Sequence, residues 1–320
     1  MGFLVWRRDC TDGGPVPYDR HPHPSTESQR VNASQLPILF ALTSSVLFAF
    51  SIQFQGLGLR DTDSRTATLI SIGASTVLYW LVAPLLLRSE YWVVGALLIF
   101  CAVGLIRPFL SSNLALAGVT HLGPTLATTL AATSPFFGAL LGVFWLGEIM
   151  TWPLAFGTAG IMAGIVMLAH GGRTKGDWPM WALALPVGAA TIRAFGHVFS
   201  KVGMEIVPSP YFAGLVTLSV SFCVALGFHA IRRRRPFLAS SRRSILYFGV
   251  AGVANGVSLL SLNTALSGGD VVVIIPIVAT SPVITLLLGR FVFRQEMLTP
   301  RAMMAVLMIV PAVIIIAVGR

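Results

Sequence analysis

Charge is what this chain has least of. Asp, Glu, Lys and Arg together make up 11% of its 320 residues, against about a quarter in soluble globular proteins. Hydrophobic residues account for 55%, and the mean hydropathy is +0.81. Too little polar surface exists to cover a water-soluble particle of this size, so the composition is that of an integral membrane protein. Carboxylates are the scarcest charge: there are 12, none in the middle of an apolar run. That excludes a carboxylate dyad or an acidic metal cage at bilayer depth. Three cysteines, Cys10, Cys101 and Cys223, lie far apart, two of them in apolar runs. They provide neither a disulfide framework nor metal-ligand spacing and read as small buried apolar groups. His121, His170, His197 and His229 fall on separate predicted helices, so no histidine cluster forms either. No metal and no cofactor is expected. A membrane-embedded enzyme, which needs a nucleophile–base pair or a metal site, is the remotest reading.

The formal net charge of +10 does not point to nucleic acid. Six arginines, Arg232, Arg233, Arg234, Arg235, Arg242 and Arg243, crowd one short loop, and no basic face with interleaved aromatics exists. A juxtamembrane basic loop sets topology and meets anionic headgroups of the lipid bilayer.

What the chain does have is apolar length. After a polar tail over 1–34, expected to be unstructured, ten apolar runs follow at 36–56, 66–87, 91–117, 122–146, 152–171, 179–202, 210–231, 244–266, 270–293 and 300–318. Each is close to the roughly 20 residues that span a hydrocarbon core. The apolar start Gly2 to Trp6 is too short for a signal-peptide core. Thirty-one Gly and nineteen Pro are tolerated in membrane helices, where neighbouring helices re-satisfy freed backbone groups.

The runs repeat. Ser111-Ser-Asn-Leu-Ala-Leu-Ala-Gly118 recurs as Ser261-Leu-Asn-Thr-Ala-Leu-Ser-Gly268. Ala132-Thr-Ser-Pro135 recurs as Ala279-Thr-Ser-Pro282, and Glu148-Ile-Met-Thr151 as Glu296-Met-Leu-Thr299. Three blocks in the same order define a unit of five helices. Five is odd, so the second unit enters the membrane from the opposite side. The fold class is therefore all-α, with ten transmembrane helices as two inverted five-helix repeats. Many secondary transporters are built this way, with the substrate held near the midplane between the halves.

At these residues the chain resembles the EamA-type branch of the drug/metabolite transporter superfamily. The resemblance rests on Ser134-Pro135, Leu146-Gly147-Glu148 and Thr151 in the first unit, and on Ser281-Pro282, Glu296 and Thr299 in the second. It covers about 36–318: a first repeat over 36–171, a linker over 172–178 and a second repeat over 179–318. It implies a ten-helix basket whose cavity is lined mainly by helices one, three and four of each unit, in a multi-pass protein of a bacterial inner membrane. It also implies export of amino acids or other metabolites, or carriage of sugars, nucleotide sugars or drugs. The chain departs from the pattern in three places. Arg294-Gln295-Glu296 replaces the second Leu-Gly-Glu-like stretch, the first helix lacks a Trp-Gly opening, and the membrane glutamate of the four-helix multidrug relatives is missing.

Two arginines stand at bilayer depth, Arg107 in the third run and Arg193 in the sixth. Each costs at least about 2.5–3.5 kcal/mol on the lenient insertion scale, so each must face a cavity or a partner. Both helices line the cavity by family analogy. Two inward guanidiniums would form a fork for a carboxylate or phosphate; bonding to helix carbonyls as structural glue is the competing role. His197 and Lys201 follow Arg193 at i+4 and i+8 on one helix face. His197 is a candidate for proton coupling or a satisfied buried imidazole, and Lys201 stands near a helix end, where it can snorkel. Glu148 and Glu296 precede Thr151 and Thr299, which read as helix N-caps, with Pro300 at the first helical position. Each carboxylate would favour the helix dipole just ahead of it or act as a gate, one on each face. Pro135 and Pro282 each remove a backbone hydrogen bond from helix four of their unit, beside Ser134 and Ser281. They are either cavity-lining discontinuities or simple kinks. Asn113 and Asn263 occupy matching positions and suit interhelical hydrogen bonding. Gly138-x-x-x-Gly142, Gly160-x-x-x-Gly164 and Gly252-x-x-x-Gly256 permit close helix approach.

The expected function is a secondary carrier, exporting a small-molecule substrate such as an amino acid or organic anion by alternating access. A broad-specificity efflux carrier for apolar drugs is the alternative.

Overall fold

The computed structural model describes residues 24–58, 64–122, 127, 130–169, 180–231, 241–293 and 300–319. Among them there is no strand. Seven stretches are long and apolar enough to cross a membrane, and three shorter apolar helices, Ser134–Leu146, Trp152–Met167 and Met303–Val318, complete the ten.

The first repeat is built from α1 (Pro24–Gly58), α2 (Ser64–Leu86), α3 (Val94–Ile106), α4 (Phe109–Leu122), α5 (Ser134–Leu146) and α6 (Trp152–Ala169). The second has α7 (Ala184–Ile206), α8 (Pro210–Ile231), α9 (Arg242–Gly268), α10 (Val271–Val278), α11 (Ser281–Phe291) and α12 (Pro300–Val318). Helix α1 is described from Pro24 onward, and residues 1–23 of the polar tail lie outside the described residues. Three of the ten runs are interrupted. The third breaks between α3 and α4 at Arg107-Pro108, and the ninth between α10 and α11 at Ala279-Thr280. The fourth breaks at Ala132-Thr133, immediately before α5.

The packing pattern carries the inversion. Helix α1 lies along α9, and correspondingly α7 lies along α3 and α4. Helix α2 packs on α9 as α8 packs on α3, α5 packs on α7 as α11 packs on α1, and α2 on α8 and α6 on α12 are contacts between equivalents. These principal pairings are matched under exchange of the repeats, as an axis in the membrane plane requires. The repeats therefore interleave instead of standing side by side.

With no hydrophobic drive between helices in lipid, small residues and polar contacts hold them. An added Cβ at Gly164 would overlap Ile309, and one at Gly252 would overlap the carbonyl of Ser71. These two glycines thus let α6 close on α12 and α9 on α2. Ser44 and Ser258 share a hydrogen bond of 3.1 Å, and Ser51 donates to the Ala251 carbonyl at 2.8 Å. Ser75 and Tyr79 donate to the carbonyls of Gly252 and Gly256. The apolar core centres on α10, whose Val271 to Ile277 are all buried.

Candidate functional site

Arg107 is not inside a helix, as its apolar surroundings suggest. It is the C-cap of α3, in extended conformation (φ −133°, ψ 145°), and its N–H still reaches the Val103 carbonyl at 2.7 Å. Pro108 explains the break: it has no N–H to donate and disfavours helical geometry in the residue before it. The Pro108 carbonyl starts α4, accepting from the Ser112 N–H at 3.0 Å and from the Ser111 hydroxyl at 3.1 Å. The break swings the Arg107 side chain across α7, where its stem lies directly on Gly196. Its Nη1 stands 2.9 Å from His197 Nδ1. A guanidinium N–H only donates, so Nδ1 accepts, and the imidazole is neutral with its proton on Nε2.

Arg193, one turn back along α7, is close enough to act electrostatically on both Arg107 and His197. Three residues singled out from sequence thus converge at one place, where the broken third span crosses the sixth. No carboxylate accompanies them. Among the described side chains the carboxylates are Glu90, Glu148, Glu205 and Asp270, all at helix ends or in connections. The pair is therefore a concentration of positive charge whose hydrogen-bonding partner, His197, is neutral. The second repeat has no equivalent: Val257 stands where repeat symmetry would put Arg107, and α9 runs unbroken through it.

The repeated prolines occupy the second position of α5 and α11, just past each break. The residue before each helix has the same conformation in both repeats, φ −73°, ψ −7° at Thr133 and φ −74°, ψ −7° at Thr280. Thr133 Oγ1 donates to the Leu130 carbonyl at 2.6 Å, and Thr280 Oγ1 to the Ile277 carbonyl at 2.7 Å. These threonines, which satisfy the carbonyls at the breaks, belong to the repeated Ala-Thr-Ser-Pro block. Ser45 of α1 joins the second break, 3.2 Å from Thr280 Oγ1 and 3.4 Å from the Val278 carbonyl. Pro135 and Ser281 are buried, Ser134 half-buried and Pro282 exposed, so matching positions meet different surroundings.

The asparagines part company as well. Asn263 makes the expected interhelical bond, to the Pro210 carbonyl at 3.2 Å. Asn113 bonds within its own helix, to the Phe109 carbonyl at 2.8 Å, because Phe109 follows the break and its carbonyl lies one turn behind.

Glu148 does not serve the helix that follows it. Its two carboxylate oxygens accept from the backbone N–H groups of Val271 and Val272, each at 2.9 Å, at the start of α10 in the other repeat. Lys201 completes the arrangement, 2.7 Å from Glu148 and 2.9 Å from the Gly269 carbonyl. Instead of snorkelling to water it bridges the repeats. Thr151 stands ahead of α6 as expected, with its carbonyl accepting from Ala155, but its hydroxyl donates to Gly319 at the end of α12. Glu296 and Thr299 lie outside the described residues.

A groove of about 540 Å³ between α2 and α8 is lined by Thr76, Trp80, Ser219, Phe222 and their neighbours and includes none of the candidate residues.

No curated protein matches the chain in sequence. A crystal structure of another protein is similar to it with a TM-score of 0.75 at 15% identity, covering 87% of this chain and 95% of the other. At that identity the likeness concerns the fold. The model of the EamA-like transporter family matches twice, over residues 35–169 and 180–318, the two repeats described above. The chain is thus a multi-pass membrane protein that belongs to the EamA-like transporter family.

Proposed function

We propose that this protein is a secondary carrier of a small organic anion, working by alternating access about the Arg107–Arg193–His197 cluster. One observation supports this above the others: two guanidiniums and a neutral imidazole converge with no carboxylate among the described residues to balance them. Burying such charge is costly unless something of opposite sign visits. A carboxylate or phosphate matches the planar donor fork of arginine. An amino acid would be held by its carboxylate only, since none of the described acidic side chains is there to take its ammonium; this ranks organic anions ahead. His197 Nε2–H is left as a further donor. The inverted repeats provide the two-sided geometry that alternating access requires. Export across a bacterial inner membrane follows from the resemblance to metabolite exporters.

The test is binding followed by flux. Purified protein is screened for thermal stabilisation by mono- and dicarboxylates, phosphate esters, amino acids and cationic drugs. A ligand of the folded state raises the midpoint with the logarithm of its concentration. Hits are then assayed for uptake into proteoliposomes. Stabilisation and saturable uptake of an anion, lost in Arg107→Met, support the reading. Stabilisation by cationic or neutral apolar drugs alone, unaffected by Arg107→Met, refutes it in favour of broad drug efflux.

A further inference from the structure

In an odd-numbered inverted repeat every connection has a face. Glu148 (between the fourth and fifth spans), the end of α7 with Lys201, the Gly269-Asp270 connection and Gly319 all fall on the face that carries the chain termini. The structure brings them together. Glu148 belongs to the first repeat; Lys201, Gly269 and the first turn of α10 belong to the second. Lys201 also lies 3.9 Å from Asp270. The Glu148 side chain is only 6% exposed and that of Lys201 17%, so the pair is largely withdrawn from water. It sits one turn of α7 beyond His197.

The opposite face has a counterpart in its apolar part. Phe50 and Phe54 of α1 meet Phe293, past the end of α11, at 5.8 Å and 5.6 Å between centroids. Phe195 and Phe199 stand as far from residue 180 as Phe50 and Phe54 do from residue 35, where the two matched repeats begin. Trp145 precedes Glu148 by the same interval as Phe293 precedes Glu296. On the terminal face Trp145 meets Phe199 at 5.6 Å, edge to face, and Phe199 stacks on Phe195 at 6.1 Å. In both cases the first helix of one repeat touches the end of the fourth helix of the other. The lysine is not matched, and Glu296 lies outside the described residues. Two residues past Phe199 comes Lys201, but two residues past Phe54 comes Gly56.

We propose that Lys201 and Glu148, clamped on the first turn of α10, are the latch that closes the terminal face of the carrier. Opening the terminal face separates the fourth–fifth connection of one repeat from α7 and α10 of the other. That motion must break three charge-assisted contacts at Glu148 at once. The resting carrier is thus biased towards closure on the terminal face. Loss of the Lys201 ammonium removes the bias without touching the Arg107–Arg193–His197 cluster.

Accessibility tests this without reference to any substrate. Ala265 of α9 is fully buried, one turn behind Gly269. In a background with Cys10, Cys101 and Cys223 replaced by serine, Ala265→Cys is labelled with a membrane-impermeant maleimide from the terminal side. Lys201→Met should raise the labelling rate at least tenfold, the change expected when hydrogen bonds to a charged group are lost, and Lys201→Arg should restore it. Should Lys201→Met fail to insert, Glu148→Gln, which keeps the side-chain volume, is expected to raise the rate in the same way. A rate within threefold of the parent in the variant that inserts, or an equal rise in Lys201→Arg, overturns the proposal.

Discussion

Gly196 offers a way to disturb the cluster without deleting any of its charged groups. A Cβ at this position would overlap Arg107 Cδ and stand 3.2 Å from Cγ and 3.4 Å from Nη1. To regain ordinary contact at about 3.5–4.0 Å, the arginine stem must lift by on the order of 1 Å. Nη1 starts 2.9 Å from His197 Nδ1, so that lift takes it out of hydrogen-bonding range. Hydrogen bonds to charged groups contribute about 1.5–3 kcal/mol. If the guanidinium is misplaced for its ligand by the same movement, Gly196→Ala should raise the KM for anion uptake about tenfold to a hundredfold. Stability should fall less than binding, because the roughly 1 kcal/mol by which alanine favours a helix interior over glycine offsets part of the lost hydrogen bond. The assay pairs KM in proteoliposomes with the thermal midpoint in detergent. A weakened KM with a midpoint lowered by the equivalent of no more than about 2 kcal/mol is expected, and Gly196→Ala added to Arg107→Met should cost nothing further, since both act through one group. Unchanged KM in Gly196→Ala, or full additivity in the double variant, would refute the placement of Arg107 in the binding site.

Arg193→Lys should impair transport and Arg193→Met abolish anion binding, because an ammonium keeps the charge but loses the planar fork; uptake kinetics of both variants in one lipid background check this. Asn263→Ala should lower the thermal midpoint by the equivalent of about 1 kcal/mol, the value of a lost hydrogen bond, as it unpins α9 from Pro210. Asn113→Ala, which removes only a bond within its own helix, should change the midpoint much less. For orientation, the face opposite the termini carries 13 Lys and Arg, against 7 on the terminal face, leaving out Arg107 and Arg193. The charge rule therefore places both termini outside, although the family resemblance suggests the reverse. A reporter fused after Arg320 that is active only in the cytoplasm would overturn the charge-based orientation.

Much of this architecture was legible in the sequence, since a membrane helix is specified by its own composition over about 20 residues. The ten runs, the repeated Ala-Thr-Ser-Pro and Glu-x-x-Thr blocks and the odd count per unit lead to inverted repeats without knowledge of any contact. Arg107 and Arg193 were legible as well, because charge at bilayer depth is expensive wherever it occurs. What the sequence did not disclose depends on partners far along the chain. The third run reads as one continuous helix; the structure shows Arg107 extended at a break, its stem crossing α7 at Gly196. Glu148 and Lys201 each have an adequate local explanation, as a dipole-favouring carboxylate and a snorkelling amine. Only the interleaving of the repeats brings both to the first turn of α10. Likewise Asn113 and Asn263 share a position in the repeat and differ in their bonds. Local sequence determines which segments are helical and which groups are costly to bury. Tertiary structure decides which distant group each of them meets, because helix pairing joins residues that no periodicity relates.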